Sequence, residues 1–283
     1  MSDDPVLQKA DFDSIYDQRD PRAYFTTLEP FDYQVPQHGA DIFNKLLQVR
    51  PPGSGRTPTV LDVCCSYGVA ATLLKTSLDM GDLYAHYRDP AVQEFVPEQM
   101  MHADKSFLDE HRRPRVPKVL GLDVAGIAVD YALAIGSLDA GAVENLEEDE
   151  PTSGLAEQLS EVDLITTTGG IGYVTERTFD RLLTYAPASA WVATFCLRTY
   201  DYEPIIETLS RHGLRTERVE RTFRQRRFTD ETEQKWALEQ VTSRGFDPEG
   251  REDDGYYHAE FYLSRPAAQV AERPLEQLLP ELG

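Results

Sequence analysis

The sequence lacks long apolar runs, has few cysteines and is short of positive charge. No run is long enough to span a bilayer, and no charged-then-apolar leader is visible. The 28 Lys and Arg against 49 Asp and Glu give a net charge of -21, which disfavours nucleic acid as a partner. Cys64 and Cys65 are adjacent and Cys196 stands apart, so neither a disulfide nor a zinc site is expected. We therefore expect a cytoplasmic protein that binds no nucleic acid, membrane or metal.

The chain is long enough to bury a sizeable core, and its pattern predicts one elaborated α/β domain. Residues 1–50 are expected to form a loose polar tail and then a helical cap, because prolines interrupt their aromatic stretches. Residues 51–283 are expected to form the α/β domain. Within it, residues 78–117 are polar and helix-prone, and so long an interval between strands predicts a helical insertion near a ligand pocket.

Short apolar runs alternate with helical patterns through the rest of the chain. TVLDV, KVLGLDVAG, EVDLITTTGG and ASAWVATFCLR predict strands, and AVENLE predicts a short one. This alternation favours a mostly parallel sheet covered on both faces. Two later stretches, LRTERVERTFRQRRFT and YYHAEFYLSRP, alternate like antiparallel strands. The acidic residues 147–150 are expected to lie in a solvated loop.

Two carboxylates stand at the ends of predicted strands, where open α/β sheets bind their ligands. Asp62 interrupts an apolar strand, which is costly unless it meets donors from its own turn or from a ligand. Asp123 stands where a ribose diol is held in nucleotide-binding folds, although it would also suit a helix N-cap. The turn CCSYGV lacks the glycine pattern that a pyrophosphate requires. A nucleoside without phosphates therefore fits better than a dinucleotide.

The segments VLDVCCSYG, GLDVAGIAVDYA and VDLITTTGGIGYV resemble motifs of the class I S-adenosylmethionine-dependent methyltransferases, over about residues 58–265. The resemblance implies S-adenosylmethionine as cofactor and a Rossmann-like α/β fold. Its sheet would be seven-stranded, in the order 3-2-1-4-5-7-6, and mostly parallel with an antiparallel last strand. The family pattern D-x-G-x-G-x-G falls on Asp62, Cys64, Ser66 and Gly68, so the first two glycines are absent.

By this resemblance, the cofactor contacts follow the ends of the first four strands. They are Asp62, Cys64, Cys65, Ser66, Tyr67, Gly68, Asp123, Val124, Glu144, Asn145, Thr168, Gly169 and Gly170. Either Glu144 or Asn145 would approach the adenine amine. A sulfonium is favoured by aromatic faces, which Tyr173, Tyr67, Tyr16 and Tyr24 would supply. Tyr16 and Tyr24 are included because N-terminal segments often fold over the cofactor in this family.

Methyl transfer depends on alignment and desolvation more than on a strong base, so the lack of a clear catalytic dyad is compatible with it. His38 is a candidate for the acceptor side, and His38, His102 and His258 are candidates for a general base. Arg198 follows the strand WVATFCLR and would hold a substrate carboxylate, with Tyr200 and Asp201 at the same exit. The alternative for Arg198 is an ordinary surface ion pair.

The side chains that replace two glycines leave a second chemistry open. In azetidine-2-carboxylate synthases, which share this fold, the amine of the cofactor attacks its own Cγ and expels methylthioadenosine. Tyr173, Asn145 and Asp201 are candidate catalytic partners for such a step, and the N-terminal segment with Tyr16 a candidate lid. We expect methyl transfer to a small molecule in a metabolic or natural-product pathway. Ring closure, a non-catalytic binding protein and a homodimer stay open.

Overall fold

The computed structural model describes residues 10, 12–50 and 56–282. The predicted tail at residues 1–9 and most of the predicted loop after residue 50 lie outside the described residues. The described part contains seven strands in one sheet: β1 (Thr59–Val63), β2 (Lys118–Asp123), β3 (Ala140–Val143), β4 (Leu164–Thr167), β5 (Trp191–Leu197), β6 (Leu214–Arg227) and β7 (Tyr256–Pro266).

Thirteen α-helices lie in the same described part of the chain. They are α1 (Arg22–Leu28), α2 (Val35–Val49), α3 (Val69–Lys75), α4 (Met80–Arg88), α5 (Pro90–Gln93), α6 (Pro97–Glu110), α7 (Gly126–Ala134), α8 (Ser153–Leu159), α9 (Glu176–Tyr185), α10 (Glu203–Arg211), α11 (Glu231–Ser243), α12 (Ala267–Glu272) and α13 (Leu275–Leu278). None of the described helices combines the length and apolar character that a membrane crossing requires.

The sheet has the strand order β3-β2-β1-β4-β5-β7-β6. The first five strands pair in parallel, whereas β7 runs antiparallel to both β5 and β6. All five residues of β1 are buried, because helices cover both faces of the sheet there. This order confirms the expected Rossmann-like fold with its antiparallel last strand. After β1 the chain moves to β2 on one side and later to β4 on the other, which opens a cleft at the carboxyl ends of these strands.

The N-terminal helices and the helical insertion pack against each other. The insertion comprises α4, α5 and α6, and its Tyr84 hydroxyl donates to the carbonyl of Tyr33 at 2.7 Å. The rings of Phe25 and Tyr87 stack at 4.1 Å between centroids. The insertion therefore supports the N-terminal segment, and aromatic packing fixes the position of that segment.

The third strand lies earlier than the sequence predicts. It covers Ala140–Val143, and the residues of AVENLE that follow Val143 form a turn. The carboxylate of Glu144 accepts hydrogen bonds from the amide of Thr152 at 3.0 Å and from its hydroxyl at 2.6 Å. The amide of Glu144 still donates to the carbonyl of Asp123 at 3.2 Å, so the chain stays beside the end of β2 where strand pairing ends at Val143.

Candidate functional site

A cavity of about 530 Å³ opens at the carboxyl ends of β1 to β4, where the fold predicts a ligand. The segments after these strands form its floor and sides, and the N-terminal segment from Tyr16 to Pro36 forms the remaining wall. A volume of this size suits a small molecule rather than a macromolecule. The helical insertion contributes no residue to the lining, but it lies near the cavity, because its Tyr84 hydroxyl donates to the carbonyl of the lining residue Tyr33.

The loop after β1 keeps a backbone conformation that normally belongs to glycine. Cys64, Ser66 and Gly68 have φ angles of 60°, 46° and 69°, all in the left-handed region. For a residue with a Cβ this region costs about 1–2 kcal/mol. Hydrogen bonds hold the loop in place: the Cys64 amide donates to the carbonyl of Leu122 and the Ser66 amide to Asp123 Oδ2, both at 2.8 Å. Two residues that are not glycine, Cys64 and Ser66, therefore hold the left-handed conformation that glycine favours.

The two side chains in place of glycine form part of the cavity wall. The Ser66 residue is only 8% exposed, and its hydroxyl has no hydrogen-bond partner among the described residues. Cys64 meets the turn after β4, where an ideal Cβ on Gly170 would lie 2.6 Å from its Sγ. Gly170 is thus needed for this close approach. Burial, with the nearby carboxylates of Asp123 and Asp62, raises the pKa of the Cys64 thiol, so the thiol stays neutral.

Asp62 and Asp123 lie on either side of this loop in different environments. Asp62 is 3% exposed and accepts one long hydrogen bond, from the Thr166 hydroxyl at 3.4 Å. Burial, opposed by this bond, raises the pKa of Asp62 to about 7. Asp123 accepts the amides of Ser66 and Ala125 at 2.8 and 2.9 Å. It therefore braces its own turn. Asp123 is not the N-cap of α7, which is Ala125 without a side-chain cap hydrogen bond. Each Asp123 oxygen keeps capacity for a second donor.

The residues after β3 line the cavity next to Asp123. The carbonyl oxygen of the Asn145 side chain accepts the amide of Glu147 at 3.0 Å. Burial acts to raise the pKa of Glu147, but hydrogen bonds from Thr178 and Thr175 outweigh it and lower that pKa overall. Glu147 thus lines the site as a carboxylate, which corrects the prediction of a plain solvated loop. Its spacing from Glu144 carries no signal that could have identified it.

Tyrosine rings form the wall contributed by the N-terminal segment. Tyr24 lies edge-on to Tyr16 and Tyr33, with centroid distances of 5.7 and 6.2 Å. Across the opening, Tyr173 lines the rim with 58% of its surface exposed. Burial raises the pKa of Tyr24 and of Tyr33 well above the usual range, so both rings are neutral. Tyr33 was not predicted to line the cavity, because it follows a proline-containing turn and no motif surrounds it.

Most of the predicted cofactor residues line this one cavity. They are Asp62, Cys64, Cys65, Ser66, Asp123, Val124, Glu144, Asn145, Thr168, Gly169, Gly170 and Tyr24, joined by the catalytic candidates Tyr16 and Tyr173. Tyr67 and Gly68 were also predicted to contact the cofactor, but they do not line the cavity. The hydroxyl of Tyr67 accepts the amide of Gln18 at 2.7 Å, which ties the N-terminal segment to the loop. Gly68 precedes the first residue of α3.

Arg198 does not line the cavity, contrary to the predicted role in holding a substrate carboxylate. Its guanidinium is buried and pairs with Glu252 at 2.6 Å, and it also donates to the carbonyl of Asp247 at 2.9 Å. The ion-pair alternative therefore holds, although the pair is buried rather than on the surface. Position at a strand end did not reveal that the side chain turns toward the segment between α11 and β7, which contains both of its partners.

The other residues predicted near β5 and in α2 also lie outside the cavity lining. Asp201 lines a separate, smaller cavity and pairs with Arg244 at 3.3 Å, so its position does not support a catalytic role in the main cavity. Tyr200 packs under the turn after β4, where an ideal Cβ on Gly172 would lie 2.8 Å from its Cζ. The ring of His38 packs against Phe223 at 5.4 Å, and burial lowers the pKa of His38.

Together, the sheet order and the cavity define a Rossmann-like α/β protein with the topology of the class I S-adenosylmethionine-dependent methyltransferases. No protein-family model matches the chain, and no curated protein sequence matches it. Within the described residues, no group of three or more His, Cys, Asp or Glu is arranged to hold a metal ion.

Several solved methyltransferases share this topology at low sequence identity. An S-adenosylmethionine-dependent methyltransferase from Aquifex aeolicus is 17% identical with a TM-score of 0.40, over 91% of this chain and 100% of that one. A TehB-like methyltransferase from Corynebacterium glutamicum is 16% identical with a TM-score of 0.40, over 79% and 86%. An O-methyltransferase from a trans-AT polyketide synthase of Brevibacillus brevis, solved with S-adenosyl-L-homocysteine, is 12% identical with a TM-score of 0.37, over 85% and 81%. The fold assignment rests on the strand order.

Proposed function

We propose that this chain is an S-adenosylmethionine-dependent enzyme that methylates a small molecule. The observation that supports this most directly is the loop after β1. Cys64, Ser66 and Gly68 are left-handed at alternate positions between Asp62 and Asp123, although only one of them is a glycine. Strain of this kind persists where the surrounding structure enforces it, and it is concentrated at ligand sites.

The lining fits the parts of S-adenosylmethionine in turn. Asp123 has acceptor capacity for ribose hydroxyls, and Val124 beside it is 65% exposed at the cavity, as a surface that covers a planar base would be. Asp62 is a buried carboxylate suited to an ammonium group. The unpartnered hydroxyl of Ser66 offers a donor to a carboxylate. The polar atoms of these groups have unused hydrogen-bonding capacity within the described chain, and a nucleoside with an amino-acid tail would use it.

S-adenosylmethionine supplies a methyl group on a positively charged sulfur, and the protein has to position the acceptor and exclude water. The tyrosine wall would desolvate the site, since Tyr24 is buried and Tyr16 and Tyr33 pack around it. Gly169 and Gly170 line the cavity, and the absence of a Cβ on Gly170 lets Cys64 pack against the turn after β4. Alignment of this kind accounts for much of the rate in a displacement at carbon.

Calorimetry with S-adenosylmethionine and S-adenosylhomocysteine tests the cofactor assignment. Asp123→Ala removes the proposed ribose contact and is expected to weaken binding by at least tenfold. Asp201→Ala is the matched control, because Asp201 is an exposed aspartate at another strand end and lies outside the cavity lining. Failure of the unmodified protein to bind either compound would refute the proposal.

Ring closure of S-adenosylmethionine to azetidine-2-carboxylate is the second candidate. It is favoured by the side chains of Cys64 and Ser66, which fill space that glycines would leave open beside the cofactor tail. Tyr173 and Asn145 line the same cavity. Incubation with S-adenosylmethionine alone separates the reactions, because ring closure accumulates methylthioadenosine and a cyclic amino acid without any acceptor. Intact cofactor after incubation with or without acceptors would indicate a non-catalytic binding protein.

A further inference from the structure

The charged residues of the cavity all have the same sign. Its lining includes five carboxylates, and among the described residues it includes no lysine, arginine or histidine. The carboxylates are Asp17, Asp62, Asp123, Glu144 and Glu147. The chain contains 28 lysines and arginines, but none of those that the structure describes lines the cavity. The cavity is therefore a region of negative potential, and its low-dielectric walls concentrate that potential.

Three of these carboxylates act on one point of the wall. Asp123, Asp62 and Glu147 each add to burial in raising the pKa of the Cys64 thiol, so their fields converge there. Cys64 lies against Gly170, at the turn that precedes Tyr173. Hydrogen bonds from Thr175 and Thr178 keep Glu147 ionised. The tyrosine rings add the negative faces of their π-systems without adding charge.

From this arrangement we propose that the methyl acceptor is an amine, and this inference rests on the proposed methyl transfer. The amine reacts in its neutral form, so an acceptor that arrives as an ammonium first releases a proton to water. Its nitrogen lone pair then forms the new N–C bond, the S–C bond breaks, and the electron pair of that bond goes to sulfur, which leaves S-adenosylhomocysteine and a methylated ammonium. In this step one positive charge moves from sulfur to nitrogen, and the carboxylates stabilise it on both atoms.

Acceptors of other classes are disfavoured by the same field. A phenol, alcohol or thiol becomes a strong nucleophile only as an anion, which neighbouring carboxylates repel. The carboxylates also raise the pKa of an ammonium, but its deprotonated form is neutral and is not repelled. An acceptor bearing a carboxylate or phosphate beside the methyl position would meet like charges, and the described lining holds no cation to pair with it.

The first test measures charge selectivity without knowledge of the acceptor. Calorimetry compares three compounds: S-adenosylmethionine, S-adenosylhomocysteine, whose sulfur is neutral, and sinefungin, which has an amine-bearing carbon in place of the methyl-bearing sulfur. Both charged compounds are expected to bind at least tenfold more tightly than S-adenosylhomocysteine. Glu147→Gln should reduce that ratio about threefold, and Glu148→Gln, at an exposed neighbour outside the lining, should leave it unchanged. Equal affinity of the unmodified protein for all three compounds would overturn the proposal.

The second test identifies the acceptor class. The protein is incubated with methyl-deuterated S-adenosylmethionine and a cell extract that ion exchange has divided into basic, neutral and acidic fractions. Mass spectrometry should find the labelled methyl group in the basic fraction. Label only in the neutral or acidic fraction would refute the amine and leave methyl transfer intact. No label in any fraction, with the cofactor bound, would refute methyl transfer itself. Should Glu147→Gln fail to fold, Asp17→Asn at the exposed edge replaces it.

Discussion

Replacing Ser66 by glycine should stabilise the ligand-free protein while it weakens ligand binding. Ser66 is held at a φ of 46°, where glycine is free of strain. Its hydroxyl is also buried without a hydrogen-bond partner among the described residues. Ser66→Gly removes both unfavourable features, and the amide bond to Asp123 Oδ2 is kept because it involves only the backbone.

The expected gain follows from three contributions. Relief of the left-handed conformation contributes about 1–2 kcal/mol, and removal of a buried, unsatisfied hydroxyl contributes about 1 kcal/mol or more. The greater freedom of glycine in the unfolded chain opposes them by about 0.4–1 kcal/mol. The free energy of unfolding should therefore rise by about 2 kcal/mol, which corresponds to roughly 5 °C in the thermal midpoint of a protein of this size. Differential scanning calorimetry of the ligand-free protein measures this shift.

Ser66→Ala serves as the matched variant, because it removes the hydroxyl and keeps the Cβ in the left-handed region. It should recover only the part of the gain that comes from the hydroxyl. Both variants should bind S-adenosylmethionine about tenfold more weakly, since both lose the proposed donor. If Ser66→Gly were no more stable than Ser66→Ala, backbone strain at Ser66 would be no larger than the roughly 0.4–1 kcal/mol that the freedom of glycine offsets, and the expected strain of about 1–2 kcal/mol would be refuted. Unchanged affinity in both variants would show that the hydroxyl does not contact the ligand.

Three further changes test the supports of the site. Tyr67→Phe removes the bonds to Gln18, so amide exchange at residues 14–18 should accelerate and unfolding should cost about 1 kcal/mol less. The folded-state pKa of Asp62 is raised from 3.8 to about 7, so the free energy of unfolding of the ligand-free protein should fall between pH 4 and 7. Cofactor affinity should rise through pH 7 as Asp62 ionises, and Asp62→Asn should flatten both pH profiles. Arg198→Met should destabilise the protein by about 3 kcal/mol by stranding Glu252, with unchanged affinity by calorimetry in the folded fraction.

The fold was predictable because its signals lie in the order of short segments. Buried apolar runs that alternate with helices specify a covered parallel sheet, and the late change to alternating residues marks the antiparallel strands. The strand order came from the family resemblance, because pairing depends on contacts between distant segments. The position of β3 was misplaced because its apolar signal is short: Ala140–Val143 pairs with β2, and only the first two residues of AVENLE belong to the strand.

The site was predictable wherever backbone position alone decides the outcome. Asp62 and Asp123 end their strands at the cleft, and any side chain there lines the cavity or its turn. Arg198 also follows its strand, yet its long side chain reaches a buried partner, Glu252, that lies far along the chain. Glu147 was overlooked for the opposite reason. Its acidic surroundings in sequence suggest solvent, whereas threonines from a later helix hold it at the cavity.

In a glycine motif a left-handed backbone and the lack of a side chain occur together, but in the loop after β1 Cys64 and Ser66 have the left-handed backbone and keep their side chains. The requirement of the site is a left-handed backbone at alternate positions, and glycine is only the least costly way to meet it. Here the bond from Cys64 to Leu122 and the bond from Ser66 to Asp123 hold the same path, at a cost of a few kcal/mol. In return the wall gains a thiol and a hydroxyl where glycine has no side chain. The strained loop is therefore better understood as a proposed cofactor wall that carries two additional functional groups than as a degraded motif. Comparison of Ser66→Gly with Ser66→Ala measures the stability that the loop loses and the affinity that it gains.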